Sequence, residues 1–208
     1  MLFGNFWIYR IYNTSPLIFF AVVAATVLAY LLVSVPGKGR KFLGFPFLVL
    51  IALLLFFQGQ TTLKRDLTHF TNDQVRVKDM RLREYPSRFL RLGHWFEERP
   101  EFVSFFRMQE NLSETVDPNL YFFGNHPRER VGLTEFEKFP FLYLPLFVFG
   151  VFVLVDKKKY PFFALSFFLP LAFAVFWGSD NSIGQFSFFP FFAVCIWAGM
   201  NRLYEKIH

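Results

Sequence analysis

The chain is almost without cysteine. Cys195 stands alone, which excludes an intrachain disulfide framework. Its place inside an apolar run reads as a small buried hydrophobe. Glycine-rich phosphate loops, HExxH, CxxC and GxSxG are all missing. The histidines His69, His94, His126 and His208 are too scattered for a metal site, and no pattern calls for a cofactor. No apolar run carries a carboxylate or lysine at its middle, as proton and ion pathways usually do, so a pump or ion-coupled transporter is disfavoured. No internal repeat of the transporter kind is present.

What is abundant is apolar and aromatic. Hydrophobic residues make up 54% of the 208 residues and aromatic ones 22%, with 34 Phe. A soluble domain of this size has too little interior for so much aromatic surface. The apolar residues also come in blocks, which read as membrane spans. The first block, Pro16–Val35, reaches about 30 Å as a helix, the thickness of the hydrocarbon layer. No small-residue cleavage site follows it, so it is expected to stay in the membrane. Phe3, Phe6, Trp7, Tyr9 and Tyr12 precede it and read as an interfacial belt. Further spans are expected at Phe42–Phe57, Phe139–Val155, Tyr160–Trp177 and about Ile183–Leu203. The expected fold class is an all-α integral membrane protein of about five transmembrane helices. Its parts are 1–57 with two spans, a partly helical extracytoplasmic segment 58–138, and 139–208 with three spans.

Charge predicts the orientation. Lys38, Arg40 and Lys41 lie between the first two spans, Asp156 with Lys157, Lys158 and Lys159 between the third and fourth, and Arg202, Glu205 and Lys206 after the fifth. Cytoplasmic loops carry the Lys/Arg excess, so these segments are expected inside a cell membrane, with the N-terminus out and the C-terminus in. Residues 58–138 hold thirteen Lys/Arg and thirteen Asp/Glu and sum to zero, so the formal charge of +6 comes from elsewhere, chiefly the basic turns. The basic pI is thus a topology signal, and a nucleic-acid partner is not expected.

Within 58–138, residues 73–84 fit a short strand or a polar helix. Residues 86–98 look amphipathic, with Phe89, Leu90, Leu92, Trp95 and Phe96 on one broad face and Gly93 as a weak point. Residues 100–112 begin like a helix, with Pro100 and Glu101 in a first turn. These helices either lie on the membrane surface or pack on the ends of the spans. After the turn signal Asp117-Pro118-Asn119, an aromatic run passes abruptly into Gly124, Asn125, His126, Pro127 and Arg128. Asn125, His126, Arg128, Arg130 and Glu135 are the candidate residues of a polar, phosphate-binding pocket, because the arginine fork suits phosphate. A solvated charged loop is the plain alternative. No catalytic residue is assigned.

From about residue 42 onward the chain resembles the C-terminal half of multi-spanning GT-C glycosyltransferases of the dolichyl-phosphate-mannose and ArnT-like, family 39 type. The matching pieces are Phe42–Phe57, then Pro118 to Gly124 with Arg128, then Leu144-Pro145 with Gly150, the turn Asp156–Lys159, and the last two spans. The resemblance implies transfer of a sugar from a polyprenyl-phosphate carrier, with the carrier in an apolar groove and its phosphate on cations. It also marks departures. Asn125 stands where the family usually has Asp, and residues 180–185 lack the usual His and Arg. Met1 to Ser15 contains no Asp or Glu, whereas the family's essential carboxylate lies in its first outer loop. The expected function is therefore that of a fragment or partner half, with a second membrane chain supplying the N-terminal catalytic part. The alternative is a non-catalytic membrane subunit or scaffold whose outer segment binds a protein or lipid. The expected partners are membrane lipid and a polyprenyl-phosphate-linked sugar.

Overall fold

A computed structural model of the protein describes residues 5–35, 39–63, 67, 72–124 and 136–207. Among these it is nearly all helical and has no strands. In chain order the helices are α1 Phe6–Thr14, α2 Pro16–Ser34, α3 Gly39–Thr61, α4 Asn72–Glu84, α5 Leu90–Glu98, α6 Pro100–Val116, α7 Pro118–Phe122, α8 Tyr143–Asp156, α9 Tyr160–Phe163, α10 Leu169–Trp177 and α11 Phe189–Ile207. A π-helical stretch, Ala164–Phe168, joins α9 to α10 without a break.

Four helical stretches are long and apolar enough to cross a membrane: Pro16–Ser34, Phe42–Thr61, Tyr160–Trp177 and Phe186–Ile207. The fifth expected span is shorter. Helix α8 has 14 residues, so it reaches about 21 Å against a hydrocarbon core of about 30 Å. Its N-terminal part is taken by a different job. The backbone N–H groups of Lys138 and Phe139 both donate to the Tyr121 carbonyl, at 3.0 and 2.9 Å, and Phe139 is buried in the core instead of continuing a helix.

The bundle is built around α11, which packs on α8 and α2, while α3 packs on α2. Two glycines set the closest crossing. A Cβ on Gly150 of α8 would collide with the Cys195 carbonyl of α11, and one on Gly199 would collide with the Leu146 carbonyl of α8. Small residues let helix backbones meet where lipid tails offer no hydrophobic drive between helices. Beside the crossing, Phe147 stacks on Phe192 at 4.8 Å between ring centres.

The π-helical stretch has a local cause. Pro170 has no N–H to give, and its ring crowds the carbonyl four residues back. The Leu169 N–H reaches instead to Ala164, five residues back, and Ser166 returns its hydroxyl to the Phe162 carbonyl at 2.6 Å. Such insertions widen a helix by one residue.

Residues 72–84 form helix α4. Ser87–Phe89 is a 3-10 turn leading into α5, and Gly93 is a packing site: its missing Cβ leaves room for the Tyr85 ring, whose nearest atom would lie 3.1 Å away. On α5, Leu92, Trp95 and Phe96 are exposed, and α6 adds an exposed Phe105. One expected belt residue is placed differently. Trp7 is fully buried and bonded to the core, whereas Phe6, Tyr9 and Tyr12 are exposed; Phe3 lies outside the described residues. The indole is drawn inward because it finds an acceptor there, described below.

Leucine at Gly150 or Gly199 should separate α8 from α11 and cost about 3 kcal/mol or more. Alanine at Gly44 of α3, which meets nothing within 4 Å, should leave stability equal or raise it by about 1 kcal/mol. Thermal unfolding in detergent reads both signs.

Candidate functional site at the turn end of the bundle

The site begins with a turn that is largely buried. Gly178, Ser179, Asn181 and residues 183–185 are buried between α10 and α11. A buried turn must find partners for its backbone groups inside the protein. Helix α3 supplies some. The Leu63 N–H donates to the Asp180 carbonyl at 2.9 Å, and Thr62 bridges to Asn181. The Asn181 amide donates to the hydroxyls of Thr61 and Thr62, at 2.8 and 3.0 Å, and its oxygen accepts the Ile183 N–H at 2.9 Å. Helix α1 supplies the Trp7 indole N–H, which donates to the Ile183 carbonyl at 2.7 Å. Gln58 accepts the Ser187 N–H at 3.0 Å.

Helix α6 closes the other side. The Ser179 hydroxyl donates to the buried Glu114 carboxylate. Gln185 donates to the Thr115 hydroxyl at 3.3 Å and to the Ser179 carbonyl at 3.4 Å. Asn111 donates to the Val175 carbonyl of α10 at 2.9 Å. Three buried atoms in or beside this network, Gln58 Nε2, Gln185 Oε1 and Ser187 Oγ, make no hydrogen bond to protein. Unmet capacity of this kind is rare in folded proteins and suits a water or a polar group of a ligand.

The ends of the segment 125–135 meet on this surface. At Gly124 (φ 58°) a Cβ would lie 2.6 Å from the Glu137 nitrogen, so only glycine lets the outgoing and returning strands of chain touch. Lys138 pins the closure. It is buried, its ammonium donates to the Leu120 carbonyl at 2.6 Å, and it sits over the Phe136 ring at 4.9 Å. Its stem crosses Gly184 (φ 81°), where a Cβ would be 2.6 Å from Lys138 Cε.

Next to this closure an aromatic groove of about 300 Å³ runs down between α8, the π-helical stretch and α11. Thr115 and Pro118 are among its lining. Phe147, Val151, Phe167 and Phe191 line its walls. Val116 and Phe168 of the lining are exposed, so the groove reaches the surface. Its lining is almost wholly apolar, and the widened helix supplies Phe163, Phe167 and Phe168 to it.

The five residues singled out in the sequence, Asn125, His126, Arg128, Arg130 and Glu135, lie outside the described residues. What is described is the base from which their segment leaves and to which it returns. Sequence reasoning missed Lys138, Glu114, Asn181 and Gln185. The usable signal was polar side chains, Gln58, Thr61, Thr62 and Ser179–Gln185, clustered where two apolar runs stop. Among the described residues no group of His, Cys, Asp and Glu could hold a metal ion. Comparisons with family models, with curated proteins and with solved structures returned no match.

Asn181→Leu removes three hydrogen bonds at once and strands buried partners, so it should cost about 3 kcal/mol, whereas Ser182→Ala at the exposed neighbour should change little. Equal thermal midpoints for the two variants would remove the turn from its central place.

Proposed function

We propose that the protein is a membrane subunit that holds a polyprenyl-phosphate-linked sugar, as the lipid-binding part of a GT-C-type glycosyltransferase. The observation that carries this reading is the aromatic groove ending beside the closed base of segment 125–135. An isoprenoid tail needs an apolar furrow open to the surface, and the groove's apolar lining and exposed Val116 and Phe168 support that reading. A phosphate needs cations at the mouth of such a furrow. His126, Arg128 and Arg130 belong to the segment that starts at Gly124, with Asn125 and Glu135 as further polar members. In this reading the arginines take the phosphate and His126 assists proton transfer. The carboxylate that activates the acceptor comes from another segment or from a second membrane chain. The turn end faces outward and the basic turns face the cytoplasm.

One observation favours a second reading, a non-catalytic scaffold. The exposed Leu92, Trp95 and Phe105 on α5 and α6 form an apolar face suited to a partner or to the membrane surface.

Two measurements test the proposal. Purified protein in detergent should be stabilised by decaprenyl phosphate more than by the uncharged polyprenol. Val151→Trp, which fills the groove, should weaken both by about tenfold or more, and Arg128→Ala with Arg130→Ala should erase the preference for phosphate. A phosphate preference that survives the arginine pair would sink the phosphate assignment, and binding that survives Val151→Trp would sink the groove. For orientation, Ser87→Cys should react with an impermeant maleimide on intact cells and Lys158→Cys only after permeabilisation. The native Cys195 is fully buried and gives no background. The reverse pattern would invert the topology.

A further inference from the structure

The opposite end of the bundle carries a second cleft, of about 260 Å³, among the ends of α2, α8 and α11. Lys157 and Lys159 reach it from the turn after α8, and Arg202 and Asn201 from α11. Among the described residues no carboxylate lines it. The acid nearest in the bonding pattern is Glu205, one turn on along α11, which pairs with Arg202 at 3.1 Å and accepts from Asn201 at 2.9 Å. Asp156, at the end of α8, is exposed.

The cations are held in place. Lys158 takes a left-handed backbone (φ 52°), and the N–H groups of Lys158 and Lys159 return to the Val155 and Leu154 carbonyls at 2.9 and 3.1 Å. This closes α8 in a tight cap and sets Lys157 and Lys159 on either side of it. The Lys159 ammonium also donates to the Val33 carbonyl at the end of α2. Apolar residues line the cleft as well, with Leu154 buried and Trp197 set edge to face with Tyr30 at 4.7 Å. Tryptophan and tyrosine of this kind mark the level where a bilayer turns from tail to headgroup.

Helix C-termini attract cations, which accounts for lysines near α2 and α8. It does not account for an open cleft lined by three cations together with an indole. We infer that this cleft binds the phosphate of an anionic phospholipid, with the glycerol and upper chain against Trp197 and Leu154. The chemistry needed is a phosphate ester of net negative charge beside an apolar stem; a free phosphate lacks the stem, and the choline ammonium of phosphatidylcholine cancels the charge. The inference concerns a different end of the molecule from the aromatic groove and stands or falls without it.

The test is lipid binding to the detergent-purified full chain, read by native mass spectrometry and by thermal midpoint. Phosphatidylglycerol should raise the midpoint and remain bound, whereas phosphatidylcholine and inorganic phosphate should do neither. Lys157→Gln with Arg202→Gln should weaken phosphatidylglycerol by about thirtyfold. Lys158→Gln with Lys206→Gln, equal in charge but outside the cleft, should weaken it by less than about threefold. If the first pair fails to fold, Lys157→Gln alone should show a loss of about fivefold. Equal stabilisation by phosphatidylcholine, or equal losses in the two pairs, would overturn the site. Stabilisation by inorganic phosphate alone would assign it to a soluble anion and overturn the lipid.

Discussion

Everything at one end of this protein depends on a largely buried turn. A chain that leaves one apolar helix and enters the next must satisfy its amides and carbonyls, and here other helices do much of that. Residues 178–185 are therefore met from three directions: by Thr61 at the end of α3 with Thr62 and Leu63 after it, by Glu114 and Thr115 of α6, and by Trp7 of α1. These contacts hold α6 and α1 against the helical bundle. They also fix the level at which Thr115 and Pro118 meet the groove. The polar residues of that turn are structural ties first, and the unmet atoms of Gln58, Gln185 and Ser187 are what is left over for something else.

The groove has a second origin, in the helices themselves. The glycine crossing of α8 and α11 brings Phe147, Phe191 and Phe192 together on one side. On the facing side, Pro170 forces the extra residue that turns Phe163, Phe167 and Phe168 toward the same space. A straight α-helix there would present a different set of rings. Backbone chemistry, in the form of an absent N–H and two absent side chains, thus shapes a surface made almost entirely of phenylalanine.

Much of the bundle was legible because apolar runs report themselves. Pro16–Val35 and Tyr160–Trp177 appear as helical spans within a residue of where the runs begin and end. The shortfall at Phe139 was not legible, since nothing in the run tells that its first residues are claimed by the Tyr121 carbonyl. Trp7 misled for a similar reason: an aromatic before a span usually marks an interface, and only the Ile183 carbonyl, far along the chain, turns it inward. The site was less legible still. Lys138 and Glu114 look like ordinary charges in a charged segment, and their burial follows from tertiary contacts with no local pattern. The motif residues that did stand out, from Asn125 to Glu135, lie beyond what the structure describes, so their chemistry rests on the sequence and on the geometry of their base.

The position of α11 has a consequence for how the fold is reached. Its main neighbours, α2, α8 and the Trp7 indole tilted against Phe189, all precede it in the chain, some by well over a hundred residues. Contacts of such wide sequence separation form late, because loop closure must come before they give any return. Earlier helices can insert one by one, but the crossing at Gly150 has no partner until α11 arrives. The turn that bonds to α1, α3 and α6 comes just before α11, so its ties and the glycine crossing all depend on the last part of the chain.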